Sequence, residues 1–289
     1  MAFDIYTEIT DRIIKEMEAG MVPWRKPWIG QSMAVKHVGG KPYSLLNQFL
    51  LGESGEYLSF KQCQQEGGKI RKGAKSRMVV FWKMLGKKRT DDSGNPVLDK
   101  NGDEIIDTIP YLQYSNVFHI RDCEGIQPKY TLDVASRDEV EPSEEAEQII
   151  ADYVAASGVT MIHKEQNQAY YQPSTDTVVL PLKKQFTEQA EYYSTAFHEL
   201  THSTGHASRL NRLDKKAAFG EEEYSKEELV AEIGAATLVA RVGLETESSF
   251  RNSAAYLQNW LKALKNDKRL IVSATGRAEK AINFILGQA

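Results

Sequence analysis

Residues 196–204 read AFHELTHST, and within them His198, Glu199 and His202 form an H-E-x-x-H pattern that decides how the second half of the chain folds. At about 100° per residue, positions i and i+4 lie about 40° apart on a helix, so both imidazoles face one point. Two neutral ring nitrogens placed that way can hold one Zn²⁺ ion. Glu199 lies one step round the helix, where a carboxylate can act as general base towards a water on the ion. The pattern predicts a helix over Thr187–Ser203 with Thr187 as its N-cap. Two blander arrangements compete: a surface helix with incidental histidines, and a structural metal. A structural zinc normally takes a fourth Cys or His, and it has no use for Glu199.

A third ligand must come from elsewhere. The metzincin pattern HExxHxxGxxH places a histidine six residues after the second one; here Gly205 matches the glycine, but position 208 is Ser208 and the next histidine is His206. The gluzincin solution is a carboxylate on a following helix, and EELVAEIGAA (residues 227–236) supplies it. Glu228 and Glu232 share a helical face, beside Ala231, Gly234, Ala235 and Ala236, whose small side chains allow close approach to the HExxH helix. In the gluzincin pattern E-x-x-x-[D/N] the first carboxylate ligates and the second residue orients a histidine, which favours Glu228 as ligand and Glu232 behind it. Against this, Ser225-Lys226-Glu227-Glu228 also reads as a capping box, leaving Glu232 as the ligand. His206 is a candidate fourth ligand or hydrogen-bond donor, or simply exposed. Tyr224 is a candidate phenol for an oxyanion. Tyr170, Tyr171 and Val178–Leu180 read as an edge strand for an extended peptide, or as ordinary sheet.

Outward from this centre the composition is that of a globular chain: 289 residues, 41% hydrophobic, net charge −4. No stretch approaches the ~18 consecutive apolar residues of a membrane span. Charges scattered through Met1–Gly20 argue against a secretory leader, and Cys63 and Cys123, 60 positions apart, fit a reduced, cytoplasmic setting. The acidic stretch Asp133–Ser143 (DVASRDEVEPS) marks a boundary, giving an α+β fold of two domains, 1–135 and 143–289. Residues 1–135 hold 19 basic and 17 acidic side chains, whereas residues 136–289 hold 17 and 23. The positive charge is local: ten basic residues against Glu66 alone between Lys61 and Arg89.

That basic run interleaves with aromatic residues, the mixture single-stranded nucleic acid requires: cations track phosphates and rings stack on bases. The candidate contacts are Trp24, Arg25, Lys26, Trp28, Tyr43, Lys61, Lys69, Arg71, Lys72, Lys75, Arg77, Trp82 and Lys83. The alternative is a solvated charged face with core tryptophans.

In the first half, helices are predicted over Phe3–Met17 (stopped at Gly20), Leu45–Leu51 and Phe60–Glu66, with strands at Met78–Trp82 and Tyr111–His119. Thr90–Asp107 reads as a long hairpin excursion, with turns at Asn95-Pro96 and Asn101-Gly102. The second half predicts helices over Ser143–Ala156, Ser225–Val242, Phe250–Lys265 and Thr275–Leu286, and strands at Val159–His163, Ala169–Gln172 and Thr177–Leu180.

The stretches ITDRIIKEMEAGMVPWRKPW, PYSLLNQFLL, FKQCQQEGGKIRKGAKSRMVVFWK and SNVFHI resemble the N-terminal domain of ArdC-type antirestriction proteins, a domain also similar to one in TraC-type plasmid primases. FHELTHSTGHASRLNR and FGEEEYSKEELVAEIGAATL are similar to that family's C-terminal metallopeptidase domain, with His198, Glu199, His202 and Glu228 at its motif positions. The resemblance implies single-stranded DNA binding by the first domain, a zincin-like fold in the second, and protection of incoming conjugative DNA from host restriction. Zn²⁺ is the expected cofactor, with Mn²⁺ or another divalent metal as alternatives. Three functions fit: a metal-dependent peptidase localised by DNA, a DNA-protection factor whose metal site is structural or vestigial, and a regulatory metalloprotease cleaving a host protein.

Overall fold

A computed structural model describes residues 4–19, 22–25, 33–91, 93–130, 142–186, 188–213, 222–244 and 260–288. Gly20, Thr187, most of the Asp133–Ser143 boundary and part of the helix expected over Phe250–Lys265 lie outside them.

Helix α1 (Ile5–Glu18) starts at Asp4, whose carboxylate accepts the Tyr6 N–H at 3.2 Å, and buries Ile9, Ile13, Ile14 and Met17 on one face. A four-stranded sheet follows in the order β1-β2-β5-β4, from β1 (Ala34–Lys36), β2 (Gly55–Leu58), β4 (Arg77–Lys88) and β5 (Ile106–His119). Strands β1 and β2 are parallel and the other pairs antiparallel. Between them lie α2 (Leu45–Leu51) and α3 (Phe60–Gln65), the latter opened by a capping box between Ser59 and Gln62. Short strands β3 (Lys69–Ile70) and β6 (Cys123–Glu124) pair beside α3.

Strands β4 and β5 extend much further than Met78–Trp82 and Tyr111–His119, pairing from Arg77↔Val117 out to Lys88↔Ile106. Val79, Val80, Leu112 and Val117 are buried at the base, but from Phe81 outward β4 is exposed on both faces. The excursion at the tip is ordered by two aspartates: Asp91 accepts the N–H groups of Ser93 and Asn95, and Asp99 those of Asn101 and Asp103.

The second half runs α4 (Pro142–Ser157), β7 (Thr160–Lys164), β8 (Tyr170–Gln172), β9 (Thr177–Pro181), α5 (Gln189–Thr204), α6 (Glu222–Arg241), a helical segment at 260–266 and α7 (Leu270–Ile285). Its sheet has the order β7-β9-β8, so Val178–Leu180 is the central strand rather than an edge, and Tyr170–Gln172 forms an edge. Helix α6 begins at Glu222, which places Ser225 inside the helix and overturns the capping-box reading. Helix α7 begins five residues before Thr275; Leu270, Ile271 and Val272 are consecutive and buried, a run that hides helical periodicity.

One core runs through both halves. Ile9, Ile13, Trp24 and Phe49 share a buried cluster with Tyr153, Phe197, Leu229 and Ile271. Thr10 donates to the Lys268 carbonyl at 2.7 Å, and Lys268–Asp11 and Lys265–Glu18 ion pairs flank that contact. Among the described residues no helix is long and apolar enough to cross a membrane.

Candidate metal centre and basic surface

Helix α5 buries Ala196, Phe197 and Leu200 completely, so its orientation is set by packing rather than by its histidines. Helix α6 crosses it closely because Gly234 faces Thr201: a Cβ on Gly234 would stand 2.7 Å from the Thr201 side chain. The small residues read from the sequence thus have a definite use, which is to bring Glu228 within reach of the imidazoles.

His198 Nε2 and His202 Nε2 are 3.1 Å apart. Glu228 faces them with one oxygen 3.3 Å from His202 Nε2 and the other 3.5 Å from His198 Nε2. Two donors at ~2.0–2.1 Å from a tetrahedral ion stand about 3.3 Å apart, so this N₂O set has the dimensions of a tetrahedral divalent-metal site. Among the described residues it is the cluster that could hold a metal, and neither Glu199 nor Glu232 belongs to it. Glu199 is buried beside His202 and acts on it electrostatically.

The charge balance points the same way. Burial would depress the His202 pKa, but Glu227 and Glu228 outweigh it and push the imidazole up to about 10. Burial would raise Glu228, but His198 and His202 outweigh it and hold the carboxyl well below the usual range. Carboxylates crowd the imidazoles here, an arrangement that favours positive charge between them.

His202 is oriented by Glu227, the neighbour of Glu228 on α6. Its Nδ1 faces Glu227 Oε1 at 3.4 Å, which leaves Nε2 directed at the metal position. Arg212, its side chain 6% exposed, holds that carboxylate through Nη2 at 2.8 Å and Nε at 3.0 Å. The same guanidinium donates to Thr204 Oγ1 and to the Thr201 carbonyl, at 2.8 and 2.7 Å. Gly205 makes this return possible: a Cβ there would meet Leu213 at 2.8 Å and Arg212 at 3.2 Å. Arg209 pins the same loop to the sheet, pairing with Asp176 and donating to the Ser203 carbonyl at 2.8 Å. Sequence reasoning missed Glu227, Arg212 and Arg209. The available signal was the Glu227-Glu228 tandem: neighbours about 100° apart on a helix can serve the metal position and the back of a histidine at once.

His206 is held on the turn by Ser208, with Nδ1 2.7 Å from Ser208 Oγ, and stands outside the cluster. The Tyr224 side chain lies outside the described residues.

The basic candidates divide. Lys61, Lys69, Lys72, Lys75, Lys83 and Trp82 are exposed. Arg71 is exposed but rests on the Arg121 carbonyl at 3.1 Å. Arg77 is tied down by Glu53 Oε2, the Leu51 carbonyl and the Tyr57 hydroxyl, each at 2.7 Å. Tyr43 is half-buried edge-on against Tyr57, with Lys36 Nζ 5.7 Å above its ring. Trp24 corrects the sequence reading: it is fully buried, with its ring centroid 6.3 Å from Phe49 and 5.7 Å from Trp260, and no base can stack on it. Its apolar area is worth more in the shared core than at the surface. The Arg25 side chain, Lys26 and Trp28 lie outside the described residues. The structure adds exposed Phe81, Met84, Leu85, Tyr111 and Tyr114 on the β4–β5 arm.

Comparison with known proteins covers nearly the whole chain. Residues 3–118 match the N-terminal domain of anti-restriction factor ArdC, and residues 144–277 match a zincin-like metallopeptidase family. An Escherichia coli protein named DNA primase TraC is 37% identical over 297 residues, covering 97% of this chain but 27% of the primase. The chain therefore spans about a quarter of the length of that relative. Crystal structures of the antirestriction ArdC protein from plasmid R388, one metal-free and one Mn(II)-bound, superpose with a TM-score of 0.74 at 34% identity. Those matches cover 99% of this chain and 98% of the other.

Proposed function

The chain belongs to the ArdC family of antirestriction proteins, and from that premise we propose that residues 1–135 bind single-stranded DNA while residues 143–289 hold a divalent ion, so that incoming DNA is shielded from restriction in the recipient cytoplasm. The observation that carries the DNA assignment is the surface left by folding: Lys61, Lys69, Lys72, Lys75 and Lys83 stay exposed beside Trp82 and the aromatic residues of the arm.

For the metal, the two-imidazole, one-carboxylate set supports zinc, and the Mn(II)-bound relative supports manganese as an alternative. A divalent ion there supplies Lewis acidity and lowers the pKa of a bound water towards about 7. Glu199, buried near His202, would serve as the general base towards such a water, and Glu227 with Arg212 holds the Nδ1 side of His202 so that Nε2 is free to ligate. A peptidase acting on a host protein is the second reading, favoured by the intact Glu199 beside a cluster that has three ligands among the described residues. Protection by occupation of the strand is the preferred mode, because a stoichiometric coat needs no matched protein substrate.

Because the halves share a core, the test uses the intact chain. Binding to an oligothymidine should fall steeply as salt rises, through counterion release. Binding that ignored salt, or that survived neutralisation of Lys69, Lys72 and Lys75 with an unchanged salt slope, would defeat the assignment. Glu199→Gln separates the two modes: protection retained supports occupation, and protection lost with fold, metal and DNA binding intact supports proteolysis.

A further inference from the structure

A groove of about 490 Å³ opens where the two halves meet, within the size range of small-ligand sites. Tyr43, Gln62, Trp82 and Ser115 line it from the first half, and Val272, Gly276 and Glu279 of α7 from the second. We propose that a base of the bound single strand enters this groove and stacks there, so that the DNA site includes α7 from the metal-bearing half; this rests on the DNA reading above.

Four observations select a base over other occupants. Trp82 is exposed at the groove, and Lys36 at its rim sits above the Tyr43 ring, which puts a cation for a phosphate next to aromatic faces for a base. The edge of β4 is sealed against an added peptide strand at this point. The Asn47 side chain takes both main-chain groups of Val80, accepting its N–H at 2.7 Å and donating to its carbonyl at 2.8 Å. What the groove offers is therefore side chains rather than a free backbone ladder. Glu279, whose Oε1 accepts the Leu45 N–H at 2.9 Å, places negative charge on the α7 side. A phosphate is repelled there, whereas every base carries an N–H that a carboxylate can accept.

Gly276 is the fourth observation. It lies inside α7, where glycine is destabilising relative to alanine, and a Cβ on it would meet nothing within 4 Å. Helix packing does not require the glycine; the space beside it is open to the groove. A ligand pressing on α7 also presses on the Glu279–Leu45 contact, which joins the halves.

The test compares full-length protein with its Gly276→Gln and Trp82→Ala variants, using labelled oligothymidine and an abasic strand of equal length. Gly276→Gln raises helix propensity, so the melting temperature should not fall, while its side chain fills the groove. Oligothymidine affinity should drop on the order of ten-fold in each variant, the loss expected for one stacked base. The slope of log affinity against log salt should stay unchanged, because the phosphate contacts remain. The abasic strand should bind the native protein more weakly and the variants no more weakly still. Native protein that binds both strands equally, Gly276→Gln that binds oligothymidine like the native protein, or preferential filling by free thymidine 5′-monophosphate would each overturn the groove while leaving DNA binding in place. A native protein that bound no strand at low salt would overturn the DNA reading and the groove together.

Discussion

Around the α5–α6 pair, each group that touches a candidate metal ligand is itself held: Glu227 by Arg212, Arg212 by Thr201 and Thr204, and the two helices by Gly234 against Thr201. Along the β4–β5 arm, Phe81, Trp82, Met84, Leu85 and Tyr111 stand in solvent, and the charges that are paired lie towards the tip, as in Lys88–Glu104 and Arg89–Asp107. The contrast follows from what each region has to bind. A metal ion tolerates little error in donor position, and buried charges are costly unless partnered, so the first region is over-determined. A flexible polyanion needs area, charge and ring faces rather than fixed geometry, so the second can remain open.

The comparison predicts a graded series of effects. His198→Ala or His202→Ala should abolish stoichiometric metal, read as metal content per chain. The same variants should lose the metal-dependent rise in melting temperature, since an ion at about 100 times its Kd adds about 2.7 kcal/mol to the folded state. Glu228→Ala should weaken metal binding more than Glu232→Ala; the reverse order would move the ligand to Glu232. Next in size, Glu199→Gln should retain metal and DNA while lowering any peptidase rate by about 10²–10⁴, the range for a general base.

Glu227→Gln tests the supporting layer and should cost about 10–100-fold in metal affinity by competition titration, with the fold retained. An unchanged affinity would reduce Glu227 to a structural partner of Arg212. On the other region, replacing Lys69, Lys72 and Lys75 with glutamine should lower the salt slope by about 0.7 for each phosphate contact removed, uniformly across sequences. The smallest effect belongs to the tip of the arm. Asp107→Asn removes an exposed ion pair with Arg89 and should leave the melting temperature unmoved. A clear drop there would show that the arm is more rigid than its exposure indicates.

Much of this architecture was legible residue by residue. The HExxH spacing placed α5, the Glu/Ala/Gly pattern placed α6, and the helices read over Leu45–Leu51 and Phe60–Glu66 agree with those observed, the second to within one residue. The misreadings share a cause. Trp24 looked like a stacking residue because its neighbours in sequence are basic and proline-bound, and Ser225 looked like a cap because a capping box is a local pattern. Neither pattern carries information about what packs from elsewhere: Phe49 and Trp260 on the first, and a helix that had already begun on the second.

By itself the sequence determined the chemistry that depends on short spacing: two imidazoles on one helical face, a carboxylate one step away, and a run of cations among aromatic residues. Tertiary structure decided what depends on long-range contact. It brought Glu228 to within 3.3 and 3.5 Å of the two imidazoles, set Glu227 and Arg212 behind His202, withdrew Trp24 into the core, and joined both halves through α1 and α7. The physical reason is one of range. Helical periodicity is set by bonds between residues four apart, whereas burial and charge pairing are set by whichever surfaces the whole chain brings together.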